Sequence, residues 1–117
     1  MDSNSVLREK SFHFALRIIK LSQYLQQEHR EYILSKQILR SGTSIGALVR
    51  EAQYAQSKAD FLHKLTIALK EANETEYWLL LLVESNYITH AMFKSIAPQI
   101  KELLKLLISS TKTIKAQ

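Results

Sequence analysis

The feature that most constrains this chain is a seven-residue repeat of apolar and small side chains, spaced alternately by four and three residues. The repeat occupies four segments, separated by short polar breaks at 28–31, 54–57 and 85–89. Its positions are Leu7, Ser11, Phe14, Ile18, Leu21 and Leu25; Leu34, Ile38, Ser41, Ile45, Leu48, Ala52 and Ala55; Phe61, Leu65, Ala68, Ala72, Thr75, Leu79 and Leu82; and Phe93, Ile96, Ile100, Leu103, Leu107, Ser110 and Ile114. This spacing keeps one stripe of a helix facing its neighbours at a shallow crossing angle.

The repeat predicts one all-α domain over residues 1–117, an antiparallel up-down four-helix bundle. The predicted helices lie at about 4–27, 31–54, 58–85 and 89–114. Because the breaks are short, consecutive helices should be antiparallel. Ser57 and Asp60 fit a capping box at the start of the third helix, and Thr89 is suited to cap the fourth. Pro98 predicts a kink or a one-turn break inside the fourth helix.

Folding the second helix back on the third predicts a polar lock between them. The pairing brings Arg40 close to Glu74 and Glu71, with Ser41 and Ser44 beside them. A catalytic carboxylate pair would need a cleft or an assisting base, which the sequence does not indicate. The small residues of this pairing predict a close approach of the second and third helices at Ser41, Gly42, Ala68 and Ala72.

Composition and motifs give no indication of an enzyme or of a cofactor. The chain has no cysteine, which excludes disulfides and thiolate sites. Asp60 and His63 have the spacing found in di-metal bundles, but no second copy of that motif occurs. No apolar run approaches the ~18 residues of a membrane span. We therefore expect a cytoplasmic protein without metal or catalytic residues and without membrane contact.

Charge is distributed unevenly along the chain. The net charge is +5, and residues 88–117 hold five lysines against Glu102 alone. Basic residues on the first and fourth helices could merge into one positive face: Arg8, Lys10, Arg17, Lys20, Lys94, Lys101, Lys105 and Lys112. The predicted contacts to RNA or DNA are Arg17, Lys20, Lys101, Lys105 and Lys112. The alternative is a solvated lysine face that serves solubility only. Any binding should be directed at the backbone and tolerant of sequence.

Apolar residues also extend beyond the repeat, which predicts a further contact. Either neighbouring helices enclose this surplus or another subunit does. We expect a homo-oligomer with Trp78, Leu81, Leu104 and Ile108 at its interface.

Several stretches resemble the bacterial four-helix-bundle family labelled 23S ribosomal RNA intervening-sequence proteins. These stretches are residues 40–47 (RSGTSIGA), 50–52 (REA), 55–61 (AQSKADF) and 67–79 (IALKEANETEYWL). The resemblance implies a ring-shaped homopentamer, which would carry about +25. It also extends to the accessory protein of diversity-generating retroelements, which implies nucleic acid and a reverse transcriptase as partners. Where the family commonly has asparagine, this chain has Leu48.

These observations lead to two main hypotheses of function. The first is a non-enzymatic oligomeric bundle that binds RNA or DNA backbone and docks a nucleic-acid enzyme. The second is a protein-interaction scaffold that does not bind nucleic acid. An enzymatic function, di-metal or hydrolytic, would require a bound metal ion, which we do not expect.

Overall fold

The computed structural model describes residues 3–117, and every regular element in this range is an α-helix. The helices are α1 (Ser3–His29), α2 (Leu34–Ala52), α3 (Lys58–Glu84) and α4 (His90–Ala116). Each helix packs on two neighbours in the order α1–α2–α3–α4–α1, and within residues 3–117 no close contact crosses a diagonal. The domain measures 46 × 22 × 21 Å, consistent with a helix of 27 residues being about 40 Å long. The predicted all-helical architecture is confirmed, and the contacts are those of a four-helix bundle.

The core consists mainly of the repeat positions. All six of them in α1 are buried, and so are Leu65 through Leu82 of the repeat in α3. In α2 a further position of each heptad is buried, at Ser35, Gly42 and Val49, whereas Leu34 and Leu48 of the repeat are only half-buried. The buried stripe of α2 is therefore wider than the repeat, because α2 packs on both α1 and α3.

Two residues with positive φ end α1 and α3: Arg30 (φ 50°) and Asn86 (φ 67°). After Arg30 the Glu31 carboxylate accepts from the Ser35 N–H at 2.8 Å and so caps α2. The helix predicted over 31–54 therefore begins three residues too early. It also ends two residues too late, because i→i+3 hydrogen bonds replace the helical ones at Gln53 and Tyr54.

The helix caps agree with the sequence in part. Ser57 Oγ accepts from the Asp60 N–H at 3.0 Å, and Thr89 Oγ1 accepts from the Met92 N–H at 3.1 Å. In the predicted capping box the Asp60 carboxylate should also accept from the Ser57 N–H. This half is wrong, because the carboxylate accepts from the Gln56 N–H at 3.2 Å. α4 continues without interruption through Pro98, so the predicted one-turn break does not occur.

Gly42 lies against α1, not α3. A Cβ built on Gly42 would lie 2.8 Å from Ile18 Cγ1, and one on Gly46 would lie 3.4 Å from Ser11 Oγ. The prediction that Gly42 allows α2 to approach α3 is therefore wrong: this residue allows α2 to approach α1. At the α2–α3 contact, Ser41 accepts a hydrogen bond from Thr75 Oγ1 at 2.9 Å.

Candidate nucleic-acid interface

A line of exposed lysines follows the outer face of α4. Its members are Lys94, Lys101, Lys105 and Lys112. Intervals of seven, four and seven residues place them above one another on the side opposite the buried stripe. Within residues 3–117 none of them pairs with a carboxylate. Glu102, the acidic residue of α4, instead binds Lys10 of α1 at 3.1 Å. This lysine line therefore keeps its full positive charge.

Arg17 connects α1 to α4 through uncharged partners. Its Nη1 donates to the Ser95 carbonyl and to Gln99 Oε1, both at 3.0 Å, and its Nη2 donates to Ser95 Oγ at 2.8 Å. The guanidinium has five N–H donors in a fixed plane, so the partners hold its orientation without neutralising it. Arg17 is half-buried and held in one orientation by these partners, whereas the lysines of the line are exposed.

A groove separates α1 and α4 beside Arg17, and these two helices are the loosest neighbouring pair of the bundle. Its volume is about 490 Å³, and we call it the α1–α4 groove. Arg17 and Lys20 are its charged residues. Its apolar lining includes Leu21, Tyr24, Ile88, Met92 and Ile96. The small residues Ala91 and Ser95 leave the space open on the α4 side.

Three aromatic rings meet at the end of this groove. His29 contacts Tyr24 edge-on, with ring centroids 5.4 Å apart, and contacts Tyr87 in the same way at 5.5 Å. This cluster could not be predicted from the sequence, because its members come from α1 and from the α3–α4 turn, and no spacing along the chain relates them.

The merged positive face expected on α1 and α4 does not form as predicted. Arg8 lines a groove with Arg50 on the α2 side of α1, and Lys10 is neutralised by Glu102. The residues predicted to contact nucleic acid fall into two groups. Lys101, Lys105 and Lys112 belong to the lysine line, while Arg17 and Lys20 belong to the α1–α4 groove.

The structure brings the five predicted residues of the polar lock together. Arg40 Nη1 lies 3.0 Å from Glu71 Oε2, its Nη2 pairs with Glu74, and Ser44 Oγ donates to Glu71 Oε2 at 3.1 Å. Burial lowers the pKa of Arg40, but the charges and hydrogen bonds of Glu71 and Glu74 outweigh that effect and hold the pKa above its ordinary value. The fifth residue, Ser41, accepts a hydrogen bond from the Thr75 hydroxyl. Thr75 was predicted only as a position of the repeat.

The lock should contribute modestly to stability. In a double-mutant cycle of Arg40→Met and Glu74→Gln, we expect a coupling of about 0.5–1 kcal/mol, because Arg40 is half exposed and water screens the pair. Urea denaturation at low salt measures it. A matched cycle with Glu76→Gln, on the same helix but without an ion pair to Arg40, should give no coupling. Equal coupling in both cycles would contradict a specific lock.

The four residues predicted for an oligomer interface lie on two helices, at two different flanks of the bundle. Trp78 follows Glu71 by two turns, so Trp78 and Leu81 lie on the flank of α3 that faces α2. Leu104 and Ile108 lie on the flank of α4 opposite α1, facing α3. Ile108 is 41% exposed, whereas the other three are half-buried.

A second apolar surface, which was not predicted, lies on α1. Phe12, Leu16 and Ile19 are 56%, 45% and 38% exposed on the outer face of α1. Their spacing of four and three is that of the core repeat, carried on the opposite side of the helix. This spacing could have been recognised in the sequence. We call the surface formed by these three residues the α1 apolar stripe.

The structure of residues 3–117 also bears on metal binding and on membrane spanning. Across residues 3–117, no three side chains among His, Asp and Glu converge as ligands for a metal ion. In the same range, no helix has the length and apolarity needed to span a bilayer.

Comparison with known proteins gives a consistent result. Residues 3–109 match the family described as 23S rRNA-intervening sequence protein. The chain is also similar to a protein of unknown function from the S23 ribosomal protein family of Bacteroides thetaiotaomicron, whose crystal structure superposes with a TM-score of 0.93. The two sequences are 56% identical, and the match covers 95% of this chain and 99% of the other. A search of curated proteins found no match.

Proposed function

The chain belongs to the 23S rRNA-intervening sequence protein family, and on this premise we propose that it is a non-enzymatic helical bundle that binds the backbone of RNA or DNA. The observation that carries the proposal is the lysine line of α4, with four exposed lysines that no carboxylate of residues 3–117 neutralises. Like charges aligned on one exposed helix face create a local positive potential that attracts a polyanion.

The geometry of the line favours phosphates over bases as its ligands. From Lys94 to Lys112 it extends about 27 Å at 1.5 Å per residue, long enough to follow several phosphates. Lysine ammonium groups are mobile point charges, so they neutralise phosphates but carry little information about base sequence. Binding through this line should therefore tolerate changes in sequence.

A salt titration tests the proposal. If the four lysines of one chain each neutralise a phosphate, the logarithm of the affinity should fall with the logarithm of the salt concentration, with a slope of about −3.6 for duplex DNA and about −2.8 for a single strand. Filter binding of RNA and of DNA, from low to physiological salt, measures this slope. Absence of any affinity at low salt would contradict the proposal.

We also propose that the protein acts as a homo-oligomer, with a pentameric ring as the form that the family resemblance implies. The apolar side chains left accessible in the single chain support association, among them Ile108 and the α1 apolar stripe. Five copies would multiply the +5 charge of each chain and strengthen attraction to a polyanion. Light scattering on the purified protein gives the number of subunits, and a monomer at working concentrations would contradict this part.

A protein-interaction scaffold is the second candidate, and the α1 apolar stripe favours it. Three large apolar side chains exposed in heptad spacing are suited to an amphipathic helix of a partner. A nucleic-acid enzyme such as a reverse transcriptase is the partner that the family resemblance implies. Under this alternative the lysine line would serve solubility, and nucleic acid would not bind.

A further inference from the structure

We infer that the α1–α4 groove receives one unpaired base of a single-stranded nucleic acid, while Arg17 and Lys20 bind the adjoining phosphates. This inference rests on the proposed function and adds to it the class of nucleic acid that is preferred. It concerns a surface different from the lysine line, and the two surfaces can be tested separately.

The charges beside the groove are suited to phosphate. Arg17 is oriented by three hydrogen bonds to neutral oxygens, and within residues 3–117 neither it nor Lys20 pairs with a carboxylate. An oriented guanidinium with unused N–H donors loses little conformational entropy when it binds an anion. Lys20 lies one turn further along α1 on the same groove and adds a second, mobile charge.

The interior of the groove is suited to a flat apolar group. Its volume of about 490 Å³ lies in the range of small-ligand sites, and its lining is mainly Leu21, Tyr24, Ile88 and Met92. An apolar space next to two cations fits a group with an apolar face and an attached anion, and a nucleotide is such a group. Aromatic rings near a cationic groove are the common arrangement for stacking bases of a single strand.

This arrangement discriminates against a duplex. In a duplex every base is paired and stacked, so a base reaches the groove only after the helix is locally opened. A single strand presents its bases at little cost. Electrostatics alone acts in the opposite direction, because a duplex has the higher charge density and releases more counterions. A substitution that weakens binding of the single strand but not of the duplex therefore indicates contact with the base.

The experiment fills the groove without changing the charge. Ala91 is exposed and lines the groove, so Ala91→Leu should fill part of it and leave the fold intact. Ala59→Leu, at an exposed position of α3, is the matched control. Fluorescence anisotropy with a single-stranded RNA and a duplex RNA of equal length gives both affinities. We expect Ala91→Leu to weaken single-strand binding about tenfold and to leave duplex binding unchanged. Ala59→Leu should change neither affinity.

A second variant tests the inference independently, in case Ala91→Leu disturbs the fold. Tyr24→Leu removes an aromatic ring from the groove and should also weaken single-strand binding selectively. If both variants bind the single strand as the wild type does, or weaken both RNAs equally, the inference is overturned and the proposed function stands. If the wild type binds neither RNA at low salt, both are overturned.

Discussion

Reversing two charges of the lysine line, by Lys101→Glu with Lys105→Glu, is expected to lower the affinity for RNA or DNA at least about 50-fold at ~0.1 M salt. Each lost phosphate contact removes about 0.9 of a unit of salt exponent, which at ~0.1 M salt is about eightfold in affinity. Two lost contacts account for the estimate, and repulsion by the new carboxylates adds to it. Filter binding across a salt series should also show the slope becoming less negative by about two.

The control for this prediction has the same change in net charge elsewhere. Lys36 on α2 and Lys70 on α3 are exposed and lie outside α4. Lys36→Glu with Lys70→Glu should therefore weaken binding much less. If both double variants lose affinity equally, the overall charge and not the line is responsible, and the prediction is wrong. The scaffold hypothesis is favoured if two results are obtained together. The wild type does not bind nucleic acid, and the variant Lys101→Glu with Lys105→Glu still binds a protein partner of the wild type.

Gly42→Ala is expected to destabilise the fold by about 1–2 kcal/mol, although alanine is the better helix former. The added Cβ would lie 2.8 Å from both Cγ1 and Cγ2 of Ile18. Ile18 is fully buried, and its branched side chain has one strongly preferred rotamer in a helix, so it cannot turn away. The contact must instead be relieved by moving α1 from α2. Urea denaturation at a fixed protein concentration measures the loss.

Gly46→Ala is the matched control, one turn further along the same helix. Its Cβ would lie 3.4 Å from Ser11 Oγ, an ordinary contact. We therefore expect a gain of about 0.5–1 kcal/mol from the lower flexibility of the unfolded chain. Equal effects of the two substitutions would show that helix propensity, not the α1–α2 contact, determines stability at Gly42.

The residues of each helix that face inward could be predicted from the sequence. The neighbouring helix that each of them contacts could be predicted only in part. A period of seven fixes which residues face inward, and the buried positions of α1 follow it throughout. A residue at the margin of the stripe can face either adjacent helix. Gly42 was therefore assigned to α3 although it contacts α1. The start of α2 was misplaced for a local reason, since the positive φ of Arg30 and the cap by Glu31 have no standard sequence signature.

The candidate nucleic-acid interface could also be predicted only in part from the sequence. The lysine line depends on the spacing within one helix, so the sequence was sufficient to predict that its members share a face. The α1–α4 groove depends on side chains from two helices and on the gap between them, and neither can be read from spacing. Arg17 illustrates the difference: its charge was evident, but its three neutral partners on α4 were not.

The even number of helices has a practical consequence for experiments. Arg8 of α1 lines a hollow with Ser57 and Lys58 at the start of α3, and Lys58 Nζ donates to the main-chain oxygen of Gln117. The described chain therefore begins and finishes at the same pole of the cylinder. The α1–α4 groove lies toward the other pole, in the second half of α1 and the first turns of α4. A dye or a surface anchor attached near Ser3 or Gln117 would leave the groove unshielded.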